Sequence, residues 1–186
     1  LLRAGRLKKK TLVGTLMSNL GLEHALEKAK GRLVRAPVGD RYVVEAMRRG
    51  GYNFGGEQSG HMIFLDHTTT GDGIVAALQL LAIIRREERP LSELAGAALD
   101  RVPQVLVNIS LPTRKALEEM PRTQRGMAAV EKKLGKRGRL LVRWSGTEPK
   151  LRIMVEGPDP DRIQGFAEAI AEEARRDLAV VRSPDR

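Results

Sequence analysis

Apolar and polar positions along this chain switch between a period of two and a period of 3.6. TLVGTLMS (residues 11–18) is short, apolar and rich in β-formers, and predicts a buried strand. Asn19 then stands as a helix N-cap, and Leu22, Ala25, Leu26 and Ala29 recur at the spacing of one helical face. Gly31 closes that helix. RLVRAPV (32–38) predicts a second strand, and a short helix from about Asp40 to Arg49 ends at Gly50 and Gly51. YNFGGEQSGHMIFLD (52–66) predicts a strand, a glycine-rich loop and a returning strand. TTTGDGIVAALQLLAIIRREE (68–88) opens with a capping signal and continues as a long, strongly apolar helix.

The pattern changes near residue 100. ALDRVPQVLVNISLP sets Pro103 and Pro112 around an apolar run, and TRKALEEM and RGMAAVEKKLG read as polar, helix-like pieces. GRLLVRWS and KLRIMVEG predict two strands flanking an SGTEP turn. DPDRIQGFAEAIAEEARRDL (159–178) is amphipathic, with Ile163, Phe166, Ala167, Ile170 and Ala174 on one face. Strands alternating with helices predict an α/β layer with a largely parallel sheet in residues 1–102, and a smaller α+β domain in 103–186.

Composition narrows the function classes. The 186 residues carry a net charge of +10, which suits nucleic acid, an anionic surface or a phosphorylated small molecule. The basic residues are scattered among acids, as on a solvated surface. Aromatics are only 3%, which argues against a base-stacking platform for single-stranded nucleic acid. No stretch is long and apolar enough for a membrane-spanning helix. There is no Cys, so disulfides and thiolate metal sites are absent. LLRAGRLKKKT lacks the apolar core of a signal peptide, which makes the cytoplasm the default expectation. The chain begins without Met and reads as a fragment.

Three stretches carry candidate chemistry. In GGEQSGH (55–61), Glu57, Gln58 and Ser59 offer a carboxylate, an amide and a hydroxyl suited to vicinal sugar hydroxyls, and His61 suits proton transfer near neutral pH. These loop side chains are expected to serve a ligand rather than the core. A glycine-rich hairpin that merely satisfies its own turn has the same composition. In RWSGTEPKLR, Arg143 and Arg152 lie on two strands leaving a turn, where Ser145 and Thr147 add hydroxyls and Gly146 permits a nest of N–H groups. A charged hairpin is the alternative there. In VGDRYVVEAM, Gly39 frees a turn, Asp40 is placed to cap a helix and Arg41 lies in its first turn. An ordinary helix start explains this too. The Asp and His residues show no metal-ligand spacing.

GGEQSGH followed by RxSGTEPxxRxMxE resembles the C-terminal half of the α-D-phosphohexomutases, and TLMSNLGLEHAL, VGDRYVVEAM, TTGDGIVAALQLL and PQVLVN extend the likeness over nearly the whole chain. The resemblance implies the family's third, mixed α/β domain followed by its fourth, TATA-box-binding-protein-like domain, an antiparallel sheet with helices on one side. The family's phosphoserine loop and its Asp-Gly-Asp-x-Asp-Arg magnesium loop belong to the first two domains and have no counterpart here. By resemblance, Glu57 and Ser59 bind sugar hydroxyls, His61 assists proton transfer, and Gly39, Asp40 and Arg41 face the cleft. Arg143, Ser145, Gly146, Thr147 and Arg152 hold the phosphate that is not reacting. The implied reaction interconverts glucosamine 6-phosphate and glucosamine 1-phosphate through a bisphosphorylated sugar, with other hexose phosphates as the alternative substrates. Mg2+ and the phosphoserine come from the missing N-terminal domains, which are the implied partners besides the phosphosugar; no nucleic acid or membrane is implied, and a homodimer is left open. On this reading the isolated chain is inactive. Trp144 stands where the family usually has Pro.

Overall fold

The computed structural model describes residues 1–146 and 148–179, and the chain divides into two compact units, Leu1–Arg101 and Val102–Arg186. In the first unit the strands are β1 (Thr11–Thr15), β2 (Arg32–Ala36), β3 (Phe54–Gly56) and β4 (Met62–Phe64). Their order in the sheet is β2-β1-β3-β4. β1 runs parallel to both β2 and β3, and only the hairpin partner β4 is antiparallel. The loops leaving the carboxyl ends of the three parallel strands therefore gather at one edge. That edge carries the candidate sugar loop.

Helix boundaries show which local signals act. Asn19 caps α1 (Leu20–Lys28) by accepting the Gly21 N–H. The left-handed residue after α1 is Lys30 (φ 59°), not Gly31. Gly31 sits in a tight space instead, where a Cβ would lie 2.8 Å from Leu2 Cδ2 and 3.1 Å from the Lys10 carbonyl oxygen. In α2 (Asp40–Gly50) the N-cap is Gly39, and the Asp40 carboxylate only accepts from its neighbour Arg41, so Asp40 is no cap. Asp72 caps α3 (Gly73–Glu87) by accepting the Ile74 and Val75 N–H groups. A further helix, α4 (Leu91–Ala98), follows where the sequence reading had none. Val43 and Met47 of α2 pack on Val13, Ala36 and Ile63 to form this unit's core.

The second unit is a three-stranded antiparallel sheet of order β5-β7-β6, built from β5 (Gln104–Ser110), β6 (Arg139–Trp144) and β7 (Lys150–Glu156). Two helices, α5 (Pro121–Leu134) and α6 (Pro160–Ala179), cover one face. TRKALEEM forms only a single 3-10 turn at Leu117–Glu119, because Lys115 and its neighbours are engaged with the loop after β6. Leu151, Ile153 and Val155 alternate toward α6, whose Ile163, Ala167, Ile170 and Ala174 are fully buried against them. Truncating Ile153 to Ala there is worth about 2–5 kcal/mol. The residues between them, Lys150, Arg152, Met154 and Glu156, occupy the opposite face, where Glu156 is buried and pairs with Arg139 at 2.7 Å. That alternation is what delivers Arg152 to the face away from the helices.

Candidate functional site: a sugar loop and a phosphate loop

The five residues between β3 and β4 form a tight hairpin loop. The Glu57 N–H donates to the His61 carbonyl at 2.9 Å and the Gly60 N–H donates to the Glu57 carbonyl at 3.1 Å. Gly60 adopts φ +99°, a conformation open to glycine and strained for other residues. Gly55, just before the loop, sits so close to α2 that a Cβ would lie 2.7 Å from Met47 Sδ. The glycines of GGEQSGH thus serve both the turn and the packing beneath it.

Two consecutive side chains of this loop reach sideways to the loops on either side. Glu57 Oε1 accepts the Gly39 N–H at 2.7 Å, tying the loop to the start of α2, where a carboxylate also complements the helix dipole. Gln58 Oε1 accepts the Thr15 hydroxyl at 3.0 Å, tying it to the end of β1. The Glu57 side chain is only 8% exposed, so the expectation that the carboxylate serves a ligand alone is corrected: one oxygen holds the scaffold. The other oxygen lies 3.5 Å from Nδ1 of the exposed His61. Ser59 is exposed at the loop tip. Asp40 and Arg41 do not converge on that group. Both are exposed and line a separate groove along α2 with Arg48 and Thr69, and Arg41 stacks over Tyr42.

In the second unit, Arg143 of β6 and Arg152 of β7 are direct cross-strand partners. Like charges directly opposite each other destabilise a sheet. The Arg152 Nη2 donates to the buried Ser145 hydroxyl at 3.3 Å and lies 3.9 Å from Glu148. Among the described residues, Nε of Arg143 and Nε of Arg152 are both buried and without a partner. Burial, and then the charge of Arg152, pull the Arg143 pKa below its ordinary value, yet a guanidinium keeps its proton at any ordinary pH. Arg114 donates to the Glu148 carbonyl and Lys150 pairs with the Glu148 carboxylate at 2.7 Å, so that carboxylate is shared by Lys150 and Arg152. Lys150 holds that carboxyl below the usual range.

The loop's shape owes more to its neighbours than to its glycine. Ser145 N–H donates to the Lys150 carbonyl at 2.8 Å, and Trp144 Nε1 donates to the Lys115 carbonyl at 2.8 Å. Gly146 is outside the left-handed region and has open space where a Cβ would be. Thr147 lies outside the described residues. The roles of Thr15, Arg114, Lys115 and Trp144 Nε1 went unread in the sequence, since each depends on a partner distant in the chain.

Residues 1–102 match the family described as "Phosphoglucomutase/phosphomannomutase, alpha/beta/alpha domain III", and residues 106–173 match its C-terminal domain. The chain belongs to the phosphoglucomutase/phosphomannomutase family. Among its relatives, a phosphoglucosamine mutase of Sorangium cellulosum is 62% identical over 179 residues, which are 96% of this chain and 37% of that protein. A phosphoglucosamine mutase of an Anaeromyxobacter species is 60% identical over 178 residues, 96% of this chain and 38% of that protein. The chain thus spans well under half the length of these relatives. The fold is shared with Aspergillus fumigatus N-acetylphosphoglucosamine mutase, at a TM-score of 0.76 and 20% identity over 94% of this chain and 40% of that one. A second structure of that fungal enzyme, in complex with GlcNAc-6P and magnesium, gives a TM-score of 0.73 at 20% identity, covering 92% of this chain and 42% of that one. In this family member, no helix among the described residues is long and apolar enough to cross a membrane.

Proposed function

We propose that this chain supplies the sugar-binding and distal-phosphate-binding parts of a phosphoglucosamine mutase, a cytoplasmic enzyme interconverting glucosamine 6-phosphate and glucosamine 1-phosphate. The observation that carries the reading is the opposed pair Arg143 and Arg152. Two permanent cations whose Nε groups are buried and without a partner among the described residues are a destabilising arrangement until a dianion joins them. A phosphate monoester supplies the charge and the acceptor oxygens. The 62% identity to a protein of that name supports the choice of amino-sugar substrate.

Within this reading each group has a limited task. Arg143, Arg152, Ser145 and Thr147 hold the phosphate that is not reacting, with Gly146 between the two hydroxyls. Glu57 Oε2 and Ser59 meet ring hydroxyls and fix which way round the hexose lies, and His61 stands beside Glu57 to exchange a proton. Gly39 adjoins the loop through its bond to Glu57, while Asp40 and Arg41 would meet the substrate from the separate groove along α2. These contacts supply positioning and charge stabilisation, which is most of what phosphoryl transfer asks of a protein. The phosphoserine and Mg2+ belong to the part of the relatives that this chain does not match. Among the described residues no three His, Asp or Glu side chains converge to hold a metal. The isolated chain is accordingly inactive, and its partner is that remaining part.

A chimera tests the reading: residues 1–186 replace the matching part of the Sorangium cellulosum relative. Turnover of glucosamine 6-phosphate that falls by at least about 100-fold in Arg143→Ala supports it, as loss of a charge-assisted contact to phosphate predicts. A folded chimera with no turnover on any hexose phosphate overturns it.

A further inference from the structure

Thr15 is fully buried at the end of β1, yet its hydroxyl points at the candidate sugar loop. Every polar group of this residue is engaged. Its N–H donates to the Ser18 hydroxyl at 3.0 Å, and its carbonyl accepts from the Ser18 N–H at 3.0 Å and from Arg35 at 3.2 Å. Its hydroxyl oxygen accepts the Met17 N–H at 3.2 Å. That leaves one hydroxyl proton, which goes to Gln58 Oε1. A rigid turn with a single spare donor faces an amide on an exposed loop.

A glutamine amide has two unlike ends, and which end faces outward depends on what the inner end meets. Thr15 offers a donor, so the carbonyl end turns inward. The Nε2 end, with two N–H donors, is the end without a partner among the described residues. From this the geometry points to Thr15 as a positioning residue that sets Gln58 to present N–H donors to an oxygen acceptor on the sugar ring. The inference rests on the mutase reading above for the nature of the ligand. It assigns Gln58, flanked by Glu57 and Ser59, a contact with a ring hydroxyl oxygen, and it excludes an ammonium group as the partner there. Without the Thr15 hydroxyl the amide rotates freely, and its acceptor end competes for the same place.

Two arms separate this inference from the reading it rests on. In the 186-residue chain, hydrogen exchange of the Glu57 and Gly60 amides should rise about 3- to 10-fold in Thr15→Val and in Gln58→Ala, with Thr15→Ser matching wild type, as loss of one neutral hydrogen bond predicts. Gln58→Ala lies on an exposed loop and keeps the test valid if Thr15→Val fails to fold. Unchanged exchange in Gln58→Ala overturns the positioning role, whatever the enzyme does. In the chimera, Thr15→Val should lower kcat/KM about 3- to 10-fold. Thr15→Ser should restore it, and Thr15→Val added to Gln58→Ala should cost nothing more. Additive losses in that double variant, or an unaltered Thr15→Val in an active chimera, overturn the inference. A chimera inactive without any substitution overturns the mutase reading instead, and the exchange arm still decides the role of Thr15.

Discussion

Arg143 and Arg152 face each other across neighbouring antiparallel strands, and neither Nε has a partner among the described residues. A sheet keeps such a pair at a cost. Replacing Arg143 by Leu, which keeps an apolar stem, is expected to leave the second unit as stable as before or up to about 1 kcal/mol more stable in anion-free buffer. Inorganic phosphate is expected to bind the unaltered chain with a Kd of about 1 mM. At ten times that concentration it adds about 1.4 kcal/mol, and the effect fades with added salt. Arg143→Leu removes it. Fluorescence of Trp144, the only Trp and a neighbour of Arg143, follows binding directly. Identical phosphate titrations in both proteins would show that the loop is an ordinary charged hairpin.

Glu57 does structural work that its loop position conceals. Its bond to the Gly39 N–H ties the loop to the first turn of α2. Glu57→Ala is expected to cost about 0.5–2 kcal/mol of stability, on the scale of a lost N-terminal cap. Ser59→Ala, at the exposed tip, is expected to change stability by less than about 0.5 kcal/mol. Urea denaturation of the two variants checks this. Equal midpoints would mean that the Gly39 bond contributes nothing.

Asp177 near the end of α6 accepts from the Thr123 N–H and hydroxyl at 2.8 Å and from the Arg122 N–H at 3.2 Å, and so caps the start of α5. Burial raises its pKa, but the bonds from Thr123 and Arg122 outweigh burial and leave it below the ordinary aspartate value of 3.8. A carboxyl depressed in the folded state binds its proton more readily when unfolded. Its contribution is therefore whole above pH 3.8 and is lost as pH falls through the folded value. Asp177→Asn is expected to lower stability at pH 7 by about 1 kcal/mol and to flatten the acid limb. Stability curves from pH 2 to pH 7 that stay parallel in the two proteins would refute the cap.

α3 is apolar on several sides, and Ile74, Leu78 and Leu81 are 76%, 59% and 59% exposed. Nothing in the first unit's core depends on them. Leu78→Gln and Leu81→Gln are expected to shift stability by less than about 0.5 kcal/mol, whereas Met47→Ala, in the core, costs about 2–5 kcal/mol. Thermal melts of the three variants test the contrast.

By itself the sequence determined what short-range rules control. Asn19 and Asp72 cap helices because a side-chain oxygen and an N–H two residues on are neighbours in any chain that turns there. The SGTEP turn between two β-rich runs becomes a hairpin, and the spacing of Ile163, Ala167, Ile170 and Ala174 becomes the buried stripe of α6. The residue types of both loops were legible for the same reason, since motifs are local. Partners were not. Glu57 meets Gly39 18 positions away, Gln58 meets Thr15 43 away, and Asp177 meets Thr123 54 away. Such bonds form only after parallel strands bring their carboxyl ends to one edge and two helices pack side by side. A carboxylate in a glycine-rich loop can serve a ligand or a scaffold with the same composition. Only the packed structure decided that Glu57 gives one oxygen to Gly39, that Thr15 claims the carbonyl of Gln58, and that Arg143 and Arg152 stand opposed, because each depends on which surfaces the burial of apolar side chains forces together.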